Sequence, residues 1–458
     1  MQIPKLPALD KSALPDGQLT RSLTFWASGL WVVWMAILPL GHVTALRTTL
    51  TLLALVVTLA MAVTHAGWRA IANVPALPSW MLLLTWCGLS SLWSPAPDVT
   101  WSKFRFDLLL PFFAYLSAYL LGRYSGALRF LLLGPIIGIG LLTLLSSFAW
   151  LPVPTWLKTD VAFGTVEPMP FWYPGIGDAS AYAVLLIGPL LAWWIARRKA
   201  PNVLTNWAPI LAMVAIIVII VATNRRNALI VFLLVTPLFF VLLGRNEKHV
   251  SRKMVALFFG AFIIATAIVA GLFEYGARER LSLVERAALP PNTSAAFKLM
   301  RSEPRPQIWG YYLKKAEQHP WIGVGFGRTL PAIYYNTHDD KALSAIDPLA
   351  VIHAHNLLLD WMLQTGLLGL AIFLSLLVAV GRRAWHARAF SRDHRLLACA
   401  LLVTIAAMLL RNMTDDFLVY GIAIMFWATI GVLLGLLERH EPFNQTDRHA
   451  PARFPLNP

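Results

Sequence analysis

The chain has 458 residues and a mean hydropathy of +0.63, with 58% hydrophobic and only 13% charged residues. A water-soluble globular protein does not normally carry that balance. The formal net charge of +15 comes from basic residues dispersed between apolar runs, which excludes a nucleic-acid-binding surface and indicates membrane topology and attraction to anionic lipids.

Apolar runs of about 17–25 residues recur along the whole chain, and each is long enough to cross a hydrocarbon core of about 30 Å as a helix. They predict an all-α, polytopic integral membrane protein with about twelve transmembrane helices. The predicted spans lie near residues 24–41, 46–66, 77–93, 106–122, 127–151, 179–196, 203–223, 228–244, 254–273, 355–380, 396–411 and 417–437.

Lys and Arg are concentrated in alternate connections between these spans. With the N-terminus on the cytoplasmic side, the inner short segments carry about three times as many basic residues as the outer ones. This bias predicts that both termini are cytoplasmic. It divides the chain into nine helices over 1–273, an outer loop over 274–352, three helices over 353–437 and a cytoplasmic tail over 438–458.

The long outer loop carries helical patterns. In "PRPQIWGYYLKKAEQHP", Pro306 stands near a helix start, Pro320 is a stop, and four apolar residues share one face. Those four are Trp309, Tyr312, Leu313 and Ala316. A turn-rich "GVGFG" follows. We therefore expect one large helical loop that covers the outer mouth of the bundle.

Two arginines interrupt the apolar pattern on the predicted outer side. The stretch "ATNRRNAL" puts Arg225 and Arg226 between two apolar runs with almost no loop. An arginine costs about 2.5–3.5 kcal/mol at the centre of a membrane helix and less near its end, so the pair either snorkels to headgroups or faces the bundle interior. In the interior it would bind an anion, because guanidinium groups donate bidentate, charge-assisted hydrogen bonds to phosphate.

Further charged residues fall on the same side. They are Lys103 and Arg105 in "WSKFRFD", Arg305 in "EPRPQIW", and Arg411 with Asp415 and Asp416 in "RNMTDDF". Each of them alone is typical of a solvated surface charge. Their convergence on one side of the membrane predicts a cationic, outward-facing chamber.

A polar stripe opens the tenth predicted span. Asn356, Asp360 and Gln364 recur at every fourth position of an otherwise apolar helix, so they face protein or a polar interior rather than lipid. His353 and His355 stand just above this stripe. Each imidazole is either an interfacial or capping group, or a general base with an ordinary pKa near 6.5 that takes a proton from a hydroxyl.

The "HAH" stretch is also compatible with metal ligands. The nearby acidic residues in the sequence, Asp339 and Asp340, show no ligand-spaced pattern with the two histidines. No metal site is predicted.

These stretches resemble the O-antigen ligase and polymerase superfamily. "HAHNLLLDWMLQTGLLGL" looks like its His-Asn, polar, Thr-Gly-Leu-Leu-Gly pattern, and "TNRRNAL" is similar to its Ser-Arg-Gly motif. "PRPQIWGYYLKKAEQHPWIGVGFG" resembles its Arg-x-x-x-Trp, His-Pro and Gly-x-Gly segment, and "LSSLWSPAPDVTWSKFRFDLL" its earlier Trp-Ser element. Asn227 stands where that family has Gly, and Arg225 where it has a small residue. Alignment on Ala228 favours Arg226 as the family's arginine.

The resemblance implies a metal-independent, GT-C-like glycosyltransferase that uses no cofactor. Such an enzyme acts at the periplasmic face of the bacterial inner membrane, among membrane lipids. Its donor would be a glycan on undecaprenyl diphosphate, and its acceptor a sugar hydroxyl of lipid A-core.

Roles for individual residues follow from the same resemblance. His355, with His353 as the alternative, would be the base, while Arg226 and Arg305 would hold the diphosphate and stabilise the leaving group. The expected substrate-binding residues are Arg225, Lys103, Arg105, His353, Asn356 and Arg411.

Three alternatives to an O-antigen ligase remain. A polymerase of the superfamily would present two sizeable outer loops, whereas one dominates here. A protein O-oligosaccharyltransferase often has an extra outer C-terminal domain, and this chain ends soon after its last span, on the inside. A glycolipid transporter or flippase is the alternative from another class, but its long connection usually lies inside, between spans six and seven.

Overall fold

The computed structural model describes residues 17–125, 132–148, 172–197, 203–223, 226–244, 304–346 and 350–439, with single residues at 260, 267, 271 and 274. All regular structure in these residues is helical, and they contain no strand. The prediction of an all-α fold is therefore confirmed.

The helices are numbered in chain order. Those of the N-terminal part are α1 (Gly17–Ile37), α2 (Thr44–Ala66), α3 (Arg69–Ala72), α4 (Leu77–Leu89), α5 (Pro97–Lys103), α6 (Leu110–Tyr124), α7 (Leu133–Ser147), α8 (Ile176–Leu185), α9 (Ile187–Arg197), α10 (Val203–Ala222) and α11 (Arg226–Leu243). Those of the C-terminal part are α12 (Arg305–Ala316), α13 (Leu330–Tyr334), α14 (Lys341–Ile346), α15 (Leu357–Ala387), α16 (Arg392–Arg411) and α17 (Tyr420–Arg439).

Among the described residues, six helical stretches are long and apolar enough to cross a membrane, and four shorter apolar helices accompany them. The six are Thr44–Ala66, Pro97–Tyr124, Gly177–Ala196, Leu357–Ala387, Arg392–Arg411 and Tyr420–Arg439. The first predicted span, 24–41, overlaps α1 over residues 24–37, and most of the ninth, 254–273, lies outside the described residues. The chain is thus a polytopic membrane protein, as its composition predicts.

Helix α17 lies at the centre of the bundle. Nearly every residue from Gly421 to Glu438 is buried, which explains why this helix is apolar all round. Its backbone packs directly on that of α6, since a Cβ added at Gly431 would lie 2.3 Å from Tyr115 O and one at Gly435 would lie 2.2 Å from Tyr119 O. Glycine is therefore required at both positions for the two helices to approach so closely.

A charged network closes one end of α17. The carboxylate of Glu438 is buried and forms ion pairs with Arg123 of α6 and Arg383 of α15, and it also accepts a hydrogen bond from the hydroxyl of Tyr119. A buried carboxylate is stable only when its charge is compensated in this way. We call these four residues the Glu438 network.

Helix α15 is broken at Gly366, where φ is +67° and ψ is −176°. The segment Pro320–Gly325 fills the break and bonds the backbone groups that the helix leaves unpaired. The amides of Val324 and Gly325 donate to the carbonyls of Leu363 and Gln364 (3.0 and 2.9 Å), and the amides of Leu367 and Leu368 donate to those of Pro320 and Trp321 (2.8 and 3.2 Å). The two chain segments are thereby locked together.

The part of the outer loop that the structure describes is helical, as predicted. Helix α12 buries Ile308, Tyr312 and Ala316 in a small core against α14 and the start of α15. Leu313, which was predicted to lie on the same face, is 48% exposed. Tyr312 and Ala316 are buried as predicted and Trp309 is partly buried, whereas Ile308, which was not predicted, completes the apolar stripe in place of Leu313.

Candidate active site

The loop between α16 and α17, residues 412–419, is where several predicted motifs meet. We call it the hub loop. Side chains from the first turns or caps of three helices donate hydrogen bonds to it, namely Asn227 Nδ2 to Thr414 Oγ1 (2.5 Å), Arg305 Nε to Thr414 O (2.9 Å) and Asn356 Nδ2 to Met413 O (2.9 Å). The starts of α11, α12 and α15 therefore converge at one end of the bundle, opposite the Glu438 network along α17.

His355 has the geometry of a general base. Its Nδ1 lies 3.2 Å from Asp415 Oδ1, and its Nε2 has no hydrogen-bond partner in the part of the chain that the structure describes. The residue is only 9% exposed. A carboxylate on Nδ1 fixes the proton there and leaves the Nε2 lone pair to accept one.

The backbone around His355 is shaped to present this ring. His355 has a φ of +53°, a left-handed conformation that is uncommon for a residue with a Cβ and is often found at functional sites. Asn356 follows as the N-cap of α15, with its Oδ1 accepting from Leu359 N at 3.1 Å. The cap and the Asn356 bond to Met413 together hold the strained residue in place.

His353 lies deeper than His355. It is 4% exposed, its ring centroid is 4.0 Å from that of His355, and its Nδ1 is 3.4 Å from Asp360 Oδ2. Its Nε2 contacts the guanidinium of Arg328. The two histidines that the sequence leaves equivalent therefore have different surroundings: His353 has a polar contact at each nitrogen, whereas His355 has one.

The predicted polar stripe is confirmed by burial and by hydrogen bonding. Asp360 Oδ1 accepts from Ala354 N (2.9 Å), and Gln364 Oε1 accepts from Gly327 N (2.9 Å). With Asn356 as the cap, all three stripe residues bind loop backbone rather than facing lipid. They position the two loops that carry His355 and Arg328.

The pKa values of two neighbouring aspartates in the hub loop are shifted in opposite directions. Burial acts to raise the pKa of Asp415, but the hydrogen bond from His355 and the positive charge of Arg328 outweigh it and hold that pKa well below its usual range. For Asp416, burial raises the pKa to about 7, and the nearby Asp360 carboxylate adds to the rise. Asp415 is thus an anion that supports an imidazole, while Asp416 can carry a proton near neutrality.

Arg328 is a site residue that the sequence reasoning missed. It follows the "GVGFG" stretch, whose last two amides are anchored by Phe326 N to Ser90 Oγ (2.9 Å) and Gly327 N to Gln364 Oε1 (2.9 Å). Its Nη2 contacts His353 Nε2 and lies 3.8 Å from Asp415 Oδ1. The available signal was its position directly after the glycine-rich turn.

Lys103 and Arg105, the predicted basic pair, take separate positions. Lys103 Nζ donates to the hydroxyl of Tyr420, at the start of α17, and lies over its ring at 4.6 Å. Arg105 is exposed, and its Nε donates to Trp101 O within the same span at 3.3 Å. Of the pair, Lys103 is the one that the structure brings to the hub loop.

Arg411 is enclosed by protein. It is 3% exposed, its Nη2 donates to Ser180 Oγ at 2.9 Å, and its guanidinium lies 4.2 Å over the ring of Phe417. These contacts tie the end of α16 to α8. In this structure Arg411 is an anchor of the hub loop rather than an exposed cation of the chamber.

The predicted arginine pair is described only in part. Arg225 lies outside the described residues, and α11 begins at Arg226, whose side chain also lies outside the description. Asn227, the next residue, is bonded to Thr414 and to Arg411 O (2.8 Å). The backbone of Arg226 therefore lies beside the hub loop.

The carboxylates nearest the two histidines are not the ones from which the sequence predicts no metal site. The carboxylates beside His353 and His355 are Asp360 and Asp415, not Asp339 and Asp340. Ligand atoms of His353, His355 and Asp415 all lie within 4.8 Å of one another, so this group has the spacing of a metal site.

Part of the chain matches a known protein family. Residues 211–374 match the family model described as O-antigen ligase. The resemblance to that superfamily is confirmed. The matched O-antigen ligase region is less than half of the chain and contains α11, α12, the break in α15 and both histidines, whereas the hub loop lies beyond it. The chain matches none of the curated proteins with which it was compared.

Proposed function

We propose that this protein is an O-antigen ligase. It transfers a polysaccharide from undecaprenyl diphosphate to a sugar hydroxyl of lipid A-core, without a metal, and inverts the anomeric configuration. The family match and the membrane-spanning helices support this assignment, because a polyprenyl donor and a lipid acceptor are both held in the bilayer.

The observation that carries the proposal is the state of His355. Its imidazole is buried, with a carboxylate on Nδ1 and no hydrogen-bond partner for Nε2 among the described residues, so it is arranged to remove a proton from a hydroxyl. It stands where the starts of α11 and α12 converge, and these starts carry Arg226 and Arg305. Base and cations can therefore serve one reaction.

The residues named above account for the proton transfer, the bond that forms and the bond that breaks in the proposed reaction. Nε2 of His355 takes the proton of the acceptor hydroxyl as its oxygen attacks the anomeric carbon of the donor. The bond from that carbon to the phosphate oxygen breaks, and undecaprenyl diphosphate leaves with the electron pair. Arg226, Arg305 and the adjoining Arg225 bind the diphosphate and stabilise the charge that grows on it.

Other predicted residues have supporting roles in this scheme. Lys103, whose ammonium group donates to Tyr420 at the start of α17, attracts donor or core phosphates, and the exposed Arg105 adds a second positive charge. Asn356 holds the loop of His355, and Arg411 anchors the hub loop. The site faces the periplasm in the inner membrane, with both chain termini cytoplasmic.

Product analysis tests the proposal. The purified protein is incubated in detergent with lipid-linked polysaccharide and lipid A-core, in the presence of EDTA. A covalent polysaccharide–core adduct is expected, and chelation leaves its yield unchanged. A longer lipid-linked polymer with unmodified core would instead indicate a polymerase, and no covalent product in a preparation that moves glycolipid between leaflets would indicate a transporter.

A further inference from the structure

Arg328 lies against a cluster of three side chains that could hold a metal ion. His353, His355 and Asp415 present ligand atoms within 4.8 Å of one another, which is the spacing of a three-ligand transition-metal site. The Nη2 atom of Arg328 contacts His353 Nε2, one of the nitrogens available to such an ion, and is 3.8 Å from Asp415 Oδ1. A fixed positive charge of the protein thus sits against the cluster.

The contact also decides the tautomer of His353. A guanidinium only donates hydrogen bonds, so Nε2 of His353 is the acceptor and its Nδ1 carries the proton. That proton points to Asp360 Oδ2, a buried oxygen whose nearest described partner is His353 Nδ1, at 3.4 Å. The backbone N–H of His355 also faces Nδ1, at 3.1 Å, but a protonated Nδ1 cannot accept it.

The position of Arg328 is set by the fold. The preceding amides of Phe326 and Gly327 are bonded to Ser90 and Gln364, next to the break in α15. The Arg328 side chain is only 23% exposed, and its Nε has no hydrogen-bond partner among the described residues. It is therefore a built part of the cluster and not a surface arginine that happens to reach it.

We propose that Arg328 is the resident cation of the His353–His355–Asp415 cluster, where it excludes divalent metal ions, and that its removal leaves a site for one borderline transition-metal ion such as Co²⁺ or Zn²⁺. Arg328 acts through His353, whose Nε2 it engages as an acceptor, so that His355 Nε2 is the ring nitrogen left to take a proton. Only this last consequence rests on the proposed function. The metal-binding part does not depend on glycosyl transfer.

Co²⁺ binding to the purified protein tests the proposal. The full chain is prepared in detergent through an affinity tag without histidine, stripped with a chelator and titrated with Co²⁺. We expect Arg328→Ala to bind about one Co²⁺ per chain more than the matched Arg328→Ala/His353→Ala variant, with the visible absorption of a nitrogen- and oxygen-liganded ion. Arg328→Lys, which keeps the positive charge, is expected to restore most of the exclusion.

A second comparison, of the wild-type chain with His353→Ala, does not require any Arg328 variant to fold. Wild type and His353→Ala are expected to bind the same amount of Co²⁺, because the cluster is already occupied by Arg328. If wild type binds one ion more than His353→Ala, or if Arg328→Ala gains no ion over its double variant, Arg328 is not the cation of the cluster. Either result leaves the proposed ligase activity to be judged separately by its product.

Discussion

At the scale of single residues, the site depends on two imidazoles with different surroundings. His355 is bonded through Nδ1 to Asp415, and its Nε2 has no hydrogen-bond partner in the described part of the chain, whereas His353 is held between Asp360 and Arg328. In the proposed reaction, this difference favours His355 as the proton acceptor. It is invisible in the sequence, because the partners lie as much as 60 residues away.

The pairing of His355 with Asp415 predicts how their variants combine. His355→Ala is expected to lower the rate of glycan transfer about 10²–10⁴-fold, because general-base catalysis is lost. Asp415→Asn alone lowers it strongly as well, since an amide no longer fixes the proton on Nδ1. The rates are measured by adduct formation with purified donor and acceptor.

The double variant supplies the decisive comparison. His355→Ala/Asp415→Asn should be no slower than His355→Ala, because the two residues act as a unit. Lys314→Ala, an exposed residue on α12, serves as the control and keeps the wild-type rate. If the double variant is slower than His355→Ala by the same factor that Asp415→Asn alone produces, Asp415 acts independently of His355.

Asp416 predicts a dependence of stability on pH. Its folded-state pKa of about 7 lies above the value of about 3.9 expected in an unfolded chain. Because the folded state binds the proton more tightly, this group stabilises the fold most below about pH 4, and the stabilisation is lost as the pH rises to 7.

Asp416→Asn tests this sign. The amide keeps the acceptor that binds Leu418 N (3.2 Å) but cannot ionise next to Asp360. Between pH 5 and 8, the melting temperature in detergent should fall less steeply for this variant than for the wild type, and the variant should be the more stable at pH 8. Parallel curves would show that Asp416 does not titrate in this window.

The sequence identified part of the site for physical reasons that can be stated. His353, His355 and the Asn356–Asp360–Gln364 stripe stand out because polar groups are costly in an apolar helix. The sequence also marked Asp415 as an outer charge, without indicating its partner. Arg328 could not be distinguished, since a single arginine in a long polar loop is typical of solvated surface.

At the scale of helices, the break in α15 determines where the site residues stand. The segment Pro320–Gly325 is hydrogen-bonded into the break, and Arg328 follows it three residues later. A continuous α15 would have no free carbonyls at Leu363 and Gln364 to accept the amides of that segment. The position of Arg328 is therefore coupled to the kink.

Gly366 should accordingly be intolerant of substitution. Its φ is +67°, and a Cβ there would lie 2.1 Å from the carbonyl group of Trp321. We expect Gly366→Ala to destabilise the fold by about 3 kcal/mol or more, through backbone strain and overlap with the docked segment. The readout is the melting temperature in detergent, together with transfer activity.

Gly140 offers a matched control for that substitution. It lies in the middle of α7, and an added Cβ would meet nothing within 4 Å. Gly140→Ala should therefore leave stability unchanged or raise it by about 1 kcal/mol, as alanine favours helix. A mild effect of Gly366→Ala, similar to that of Gly140→Ala, would mean that the break in α15 can be removed without loss of stability.

Helix positions were more predictable than helix contacts. Hydrophobic length located the described spans, because the bilayer sets a fixed requirement for each. On α12 the predicted buried face included Leu313, which is exposed, and left out Ile308, which is buried. The break in α15 was not predicted, because its glycine also fits an uninterrupted apolar helix.

At the scale of the whole molecule, the Glu438 network and the hub loop lie at opposite ends of α17. The distribution of Lys and Arg predicts that the hub loop end is periplasmic and the Glu438 end cytoplasmic. Helix α12 should then also be periplasmic, because its first residue, Arg305, binds the hub loop.

Cysteine labelling in intact cells tests this orientation. A membrane-impermeant maleimide should label Lys314→Cys on α12 without lysis and Arg382→Cys on α15 only after lysis, since both positions are exposed. The native Cys87 and Cys399 are buried and give a low background. Labelling of Arg382→Cys in intact cells, with Lys314→Cys protected, would reverse the predicted topology.

The glycine contacts between α6 and α17 have a mechanical consequence. Two helices in backbone contact, and fastened at their far ends by Glu438 and Arg123, move as one rigid body. If the lipid tail of the proposed donor enters the bundle laterally from the bilayer, it does not separate α6 from α17. It enters between two helices whose contact is formed by side chains, while α6 and α17 stay in place on one side of the opening.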